Sequence, residues 1–151
     1  MHEAVLSLSN LGEFVKERIS TGSSVEITVT GNSMFPLFVN KRDKVLLSPV
    51  KRLKKRQICF YQTESGQYLL HRIVKINKEG VFFLGDNRMN IEAPIPQENV
   101  VAVVSEYVRR GKRKKANCFF HKFYAFVWCF SIKLRPKLLK FLLKFKTKGK
   151  K

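Results

Sequence analysis

The sequence predicts a mainly β fold: an antiparallel domain with one N-terminal helix and a basic, amphipathic helical C-terminal tail. Three observations predict it. Between Val25 and Tyr107, short runs rich in β-branched and aromatic residues alternate with turn-rich stretches, the signature of short strands. Ahead of them, apolar residues recur at helical spacing. Charge is unevenly spread as well: the first 106 residues hold 14 Lys/Arg against 11 Asp/Glu, whereas the last 45 of the 151 hold 16 Lys/Arg and no acid.

Taken in chain order, Val5, Leu8, Leu11 and Phe14 or Val15 fall on one side of a helix that ends near the Ser20–Ser24 turn cluster. His2 and Glu3 replace the positive region of a secretory signal, so the domain is expected to begin at residue 1. The strands follow at Val25–Thr30, Val45–Leu47, Ile58–Gln62, Tyr68–Ile76, Val81–Leu84 and Val100–Tyr107. Asn77-Lys78-Glu79-Gly80 reads as a hairpin loop between the fourth and fifth. Pairing Ile76 with Val81 and Asn77 with Gly80 places His71 across from Asp86, on one face and within reach of it, unless a bulge shifts the count.

A solvated basic linker is expected at 109–115, which bounds a domain at 1–108 and a tail at 116–151. The stretch from Ala116 to Ile132 is 17 residues long, at the short limit for spanning a bilayer, and contains His121 and Lys122. After Pro136, Lys137, Lys140 and Lys144 alternate with Leu138, Leu139, Phe141, Leu142, Leu143 and Phe145, the pattern of an interfacial helix, and Lys146 to Lys151 are expected to be unstructured. Lys and Arg attract the phosphates of lipid and of nucleic acid alike. So many interleaved aromatic and aliphatic side chains favour an anionic membrane as partner over nucleic acid. Localisation at a membrane follows, on a side the basic clusters do not assign. Cys59, Cys118 and Cys129, odd in number and without C-x-x-C spacing, point to free thiols and to no metal site.

Three residues are the candidates for chemistry. Ser33 stands in Thr30-Gly31-Asn32-Ser33-Met34-Phe35-Pro36, where Gly31 lets the backbone bend or approach a substrate and Pro36 fixes the exit. A serine exposed on such a turn becomes a nucleophile when a base takes its proton and N–H groups await the oxyanion. His71 is the one histidine between residues 3 and 120. A carboxylate on one ring nitrogen, here Asp86, would hold the tautomer whose other nitrogen accepts the serine proton. Singly, each has a plainer reading: a turn serine, a core histidine, an Asx-turn aspartate.

Gly31 to Pro36 resembles the nucleophile box of the signal peptidase I family, in which serine precedes methionine and proline follows two positions later. Leu70-His71-Arg72-Ile73-Val74 is similar to the His-Arg box of the endoplasmic-reticulum-type subgroup, where histidine replaces the bacterial lysine. Gly85-Asp86-Asn87-Arg88 looks like the last box, and Ile95 to Val101 like the strand after it. The Gly-Asp pair usual before Ile58 is missing, and residues 1–32 are not expected to form the membrane anchor that most members carry before the nucleophile.

The resemblance implies an antiparallel signal-peptidase-like β domain and a serine endopeptidase that removes a signal or leader segment from a precursor protein. It implies Ser33 as nucleophile, His71 as general base and Asp86 as the orienting acid. Gly31, Met34 and Pro36 would bound the substrate site, and no metal or cofactor would be needed. The precursor would bind as an added β strand. A second aspartate after the last box has Glu92 as its nearest counterpart. The competing reading is a non-catalytic, peptidase-like binding module attached to membrane or nucleic acid by its basic tail.

Overall fold

The computed structural model describes residues 8–130, 134–137 and 140–141. An N-terminal helix, α1 (Leu8–Ser20), precedes seven strands: β1 (Val25–Thr28), β2 (Lys44–Ser48), β3 (Ile58–Gln62), β4 (Tyr68–Asn77), β5 (Gly80–Leu84), β6 (Val100–Arg109) and β7 (Lys112–Lys115). A second helix, α2 (Phe119–Phe130), follows the strands. All pairings are antiparallel, in the order β1-β2-β6-β3-β4-β5, with β7 added to β6. The fold is therefore mainly antiparallel β with a helix before the sheet and another after it, as the sequence predicts. Val5 and most of the stretch from Ser131 onward, including Leu138, Leu139, Leu142, Leu143, Lys144, Phe145 and Lys146 to Lys151, lie outside the described residues.

The position of β3 explains the layout of the core. Side chains alternate across a strand, and β3 is buried on both faces. Ile58 and Phe60 join α1 (Val15, Ile19), Met34, Leu37, Phe38, Val45, Leu47 and Ala102 in one apolar cluster. Cys59 and Tyr61 join Ile73, Val81, Phe83, Ile95 and Val100 in another. Burying a Leu, Ile or Phe side chain contributes about 1.5–3 kcal/mol, so both clusters hold the sheet on which the candidate site is built.

The expected linker is corrected: it is a hairpin. Arg110 (φ 50°) and Gly111 (φ 74°) form a two-residue turn with both central residues in the left-handed region, which returns Lys112–Lys115 antiparallel to β6. Arg113 reaches Glu26 at 2.6 Å and Glu106 at 3.3 Å. One cation of this run, Arg113, thus finds its acids on strands β1 and β6, a pairing that composition along the chain does not reveal.

The tail is corrected in the same way. One side of α2 is packed on the sheet: His121, Ala125 and Trp128, at i, i+4 and i+7, are buried, with the His121 ring 5.4 Å from that of Tyr107. Burial, with the Arg72 charge nearby, lowers the His121 pKa to about 4. Among the described residues, no helix is long and apolar enough to cross a membrane.

Candidate active site

Three segments converge on Gly85. The first is the Ser33 turn. Gly31 takes φ 80° with open space where a Cβ would stand, so glycine is required there by the bend and not by a close neighbour. Its N–H donates to Asn40 Oδ1 at 3.0 Å, and the Phe35–Pro36 bond is cis. Asn87 ties this turn to the next segment: its N–H donates to the Ser33 carbonyl at 2.7 Å and its Nδ2 to the Asn32 carbonyl at 3.2 Å. Ser33 is half-buried.

The second segment is β4, where His71 pairs with Cys59 of β3 and shares a face with Tyr61, one diagonal step away. The third is the turn after β5. A Cβ placed on Gly85 would lie 2.8 Å from the Ser33 carbonyl oxygen and 3.2 Å from His71 Cδ2. Glycine is what allows the serine turn and the imidazole to close in on one point. Ser33 and His71 are thereby brought together, 38 residues apart in sequence. No hydrogen bond joins the Ser33 hydroxyl to the ring, whose contacts lie at its other nitrogen. Catalytic hydrogen bonds are often long until substrate binds.

Asp86 is not the partner of His71. The predicted register holds at Ile76–Val81 and Asn77–Gly80, but a bulge between Ile73 and Lys75 shifts it, so that Ile73 opposes Phe83 and Arg72 opposes Leu84. One step further on, Gly85 and not Asp86 falls beside His71. Asp86 points to the other face and meets Arg72 in a two-pronged pair, Nε to Oδ1 and Nη2 to Oδ2, both at 2.8 Å, with both side chains fully buried. Burial alone would lower the Arg72 pKa, but the Asp86 carboxylate outweighs it and keeps the guanidinium charged.

Glu92 takes the place expected of Asp86. The chain after the last box runs back along β5: Glu92 N–H donates to the Phe83 carbonyl at 3.0 Å, and Ile95 exchanges two backbone hydrogen bonds with Val81. This return lays the Glu92 carboxylate against His71 Nδ1. Tyr61, stacked on Phe83 with ring centroids 3.9 Å apart, donates its hydroxyl to the other Glu92 oxygen and sits 3.0 Å from the same Nδ1. Burial works to raise the Glu92 pKa. The hydrogen bonds from His71 and Tyr61 and the charges of His71 and Arg88 outweigh it, and the carboxyl titrates below its ordinary value.

An ionised carboxylate only accepts hydrogen bonds, so Nδ1 carries the proton and Nε2 of a neutral ring is left with its lone pair. Cys59, opposite His71, is no rival nucleophile: burial pushes its thiol up to about 12, and the thiolate is the reactive form.

Among the expected substrate contacts, Met34 is corrected, because its side chain is 2 % exposed and belongs to the core with Leu37 and Phe38. Gly31 is exposed and Pro36 half-buried, its carbonyl accepting from Arg109 at 3.3 Å. The residues that sequence reasoning did not select are Tyr61 and the α2 side chains behind Asp86. Trp128 Nε1 donates to the Asp86 carbonyl at 2.9 Å, and the Tyr124 hydroxyl to Asp86 Oδ2 at 3.2 Å. Arg135 donates to the Gly85 carbonyl at 3.3 Å. Compared with known proteins, the chain matches no family model and no curated sequence.

Proposed function

We propose that the protein is a serine endopeptidase of the signal peptidase type, with Ser33 as nucleophile, His71 as general base and Glu92 as the acid that orients it. The observation that carries this reading is the meeting of the Ser33 turn and the His71 ring at Gly85, with Nδ1 of that ring held by Glu92. In this mechanism Ser33 Oγ attacks the scissile carbonyl as Nε2 takes its proton. The imidazolium so formed is stabilised by the Glu92 carboxylate and returns the proton to the leaving amine. Water then hydrolyses the acyl-enzyme by the same route in reverse. The Ser33 N–H, on the family's pattern, supplies part of the oxyanion hole.

The substrate is an extended leader segment of a precursor protein, cleaved at or near a membrane. Small side chains before the scissile bond follow from the resemblance alone. No metal or cofactor enters this chemistry. A serine-directed acylating probe tests it: Ser33 is labelled in the native protein, and labelling is lost in Ser33→Ala and His71→Ala. A folded protein that ignores the probe and leaves leader peptides uncut is instead the non-catalytic module.

A further inference from the structure

Helix α2 has two apolar sides. A helix that only covers a domain is apolar towards the core and polar towards water. Here the inner side (His121, Ala125, Trp128) is buried. The outer side carries Phe119, Phe123, Phe126 and Phe130 at i, i+4, i+7 and i+11, and these are 76, 59, 49 and 84 % exposed. The rings form a strip: Phe119 stacks on Phe123 and Phe126 on Phe130, with centroids 6.4 and 6.1 Å apart. Cations border it. The fully exposed strand β7 leads into α2, and Lys122 is exposed on the helix itself. The Arg56 guanidinium lies 5.0 Å from the centroid of Phe126, and Lys55 and Arg56 line a cleft of about 210 Å³ with Phe126 and Phe130. No acidic residue follows Glu106 in the chain.

We propose that this strip is a docking surface for an anionic lipid bilayer, engaged by the folded domain while α2 stays seated on Asp86. The inference extends the membrane part of the function proposed above and is independent of its peptidase part. A contiguous aromatic patch on this scale marks a binding surface. Its charges decide the occupant. Protein interfaces are depleted in Lys, whereas aromatic rings flanked by Lys and Arg fit the boundary between negative headgroups and acyl chains.

The helix then lies in the plane of the membrane with Trp128 facing away from it, bonded to the Asp86 carbonyl. One helix diameter, about 10–12 Å, separates the bilayer from the turn that holds Ser33 and His71 together. A segment emerging from the membrane surface arrives at the candidate site without a long reach.

The test uses full-length protein and vesicles of phosphatidylcholine with or without phosphatidylserine, some carrying brominated acyl chains. Binding is expected with phosphatidylserine, at least tenfold weaker without it, and only partly reversed by salt. The single tryptophan, Trp128, is expected to escape bromine quenching because it faces the domain. Phe119→Ser/Phe123→Ser/Phe130→Ser is expected to keep its circular dichroism and lose at least tenfold in vesicle affinity, and Lys112→Gln/Lys114→Gln/Lys115→Gln to lose the salt-sensitive part.

Unchanged vesicle binding by the phenylalanine variant overturns the proposal, and strong quenching of Trp128 overturns the seated-helix geometry. A dimer that the variant dissolves, with no vesicle binding by the native protein, gives the strip to a second copy and also overturns it. Vesicle binding as expected without cleavage of a soluble leader peptide supports the docking surface and counts against the peptidase.

Discussion

Exchanging each acid for its amide separates the roles of Asp86 and Glu92. Asp86→Asn removes one charge from a pair in which both side chains are fully buried and which is closed by two 2.8 Å hydrogen bonds. It strands the Arg72 guanidinium without a counter-ion, and breaking a buried pair from one side costs about 3–5 kcal/mol. For a domain of this size 1 kcal/mol moves Tm by roughly 2–4 °C, so melting should fall by roughly 6–20 °C. The same variant, assayed well below its Tm, should keep the native shape of its pH–rate profile, because His71 touches Glu92 and not Asp86. Glu92→Gln should do the reverse. Its side chain is 27 % exposed, so the loss of stability is small. An amide N–H facing Nδ1, however, favours the tautomer with its proton on Nε2, where none is wanted, and in a serine protease triad that error costs about 10⁴ in kcat. The assays are thermal melts by circular dichroism and cleavage of a leader peptide across pH. An Asp86→Asn protein that melts like the native one yet has lost its activity would refute the assignment and return the orienting role to Asp86.

Four further outcomes are expected. Ser33→Ala and His71→Ala should each abolish cleavage with unchanged circular dichroism, since removing either member of a dyad stops the same step; turnover surviving in the serine variant would end the peptidase reading. Glu92 titrates below its ordinary value when folded, so its share of stability is present above about pH 4.5 and disappears as pH falls through the depressed folded value; denaturant titrations of native protein and Glu92→Gln should therefore converge in strong acid. Gly85→Ala should cost activity well beyond stability, because the new methyl meets the Ser33 carbonyl at 2.8 Å and His71 Cδ2 at 3.2 Å and pushes them apart; native turnover in that variant would count against the convergence at Gly85. A chain stopped at Val108 should melt far below the full-length protein: Trp128, 2 % exposed, is itself worth about 3–5 kcal/mol when truncated to alanine, and equal melting of the two would restore the tail as a detached appendix.

What could be read from the sequence depended on how local its cause is. All six strands first expected are present, since alternation, turn residues and the hairpin at Asn77–Gly80 act over a few positions. The Ser33 turn was legible for the same reason. The acid partner was not, because it turned on a single extra residue: the bulge between Ile73 and Lys75 rotates everything after it by one place and so moves Asp86 to the opposite face. A signal for Glu92 was available in its position between β5 and the segment that pairs back on it at Ile95, but not in any spacing relative to His71. Composition misled at 109–128, where cations read as a solvated linker and the aromatics after them as a membrane-associating tail until the partners Glu26, Glu106, Tyr107 and Asp86 are brought up by the sheet.

The bulge also explains why the His-Arg and Gly-Asp boxes belong together. Successive residues of a strand point to opposite faces, so each dipeptide is divided between two tasks. His71 and Gly85 face the Ser33 turn, one supplying the imidazole and the other the absence of a side chain that lets it close. Arg72 and Asp86 face away, where their ion pair is capped by Tyr124 and the Asp86 carbonyl by Trp128. A disturbance of α2 therefore reaches the candidate site through one peptide unit, the bond between Gly85 and Asp86, whose carbonyls on either side are held by Arg135 and Trp128. On that geometry Trp128 of α2 and Arg135 hold the peptide unit that lies beside Ser33 and His71, and whatever binds the outer face of α2 acts on a segment already joined to the candidate site.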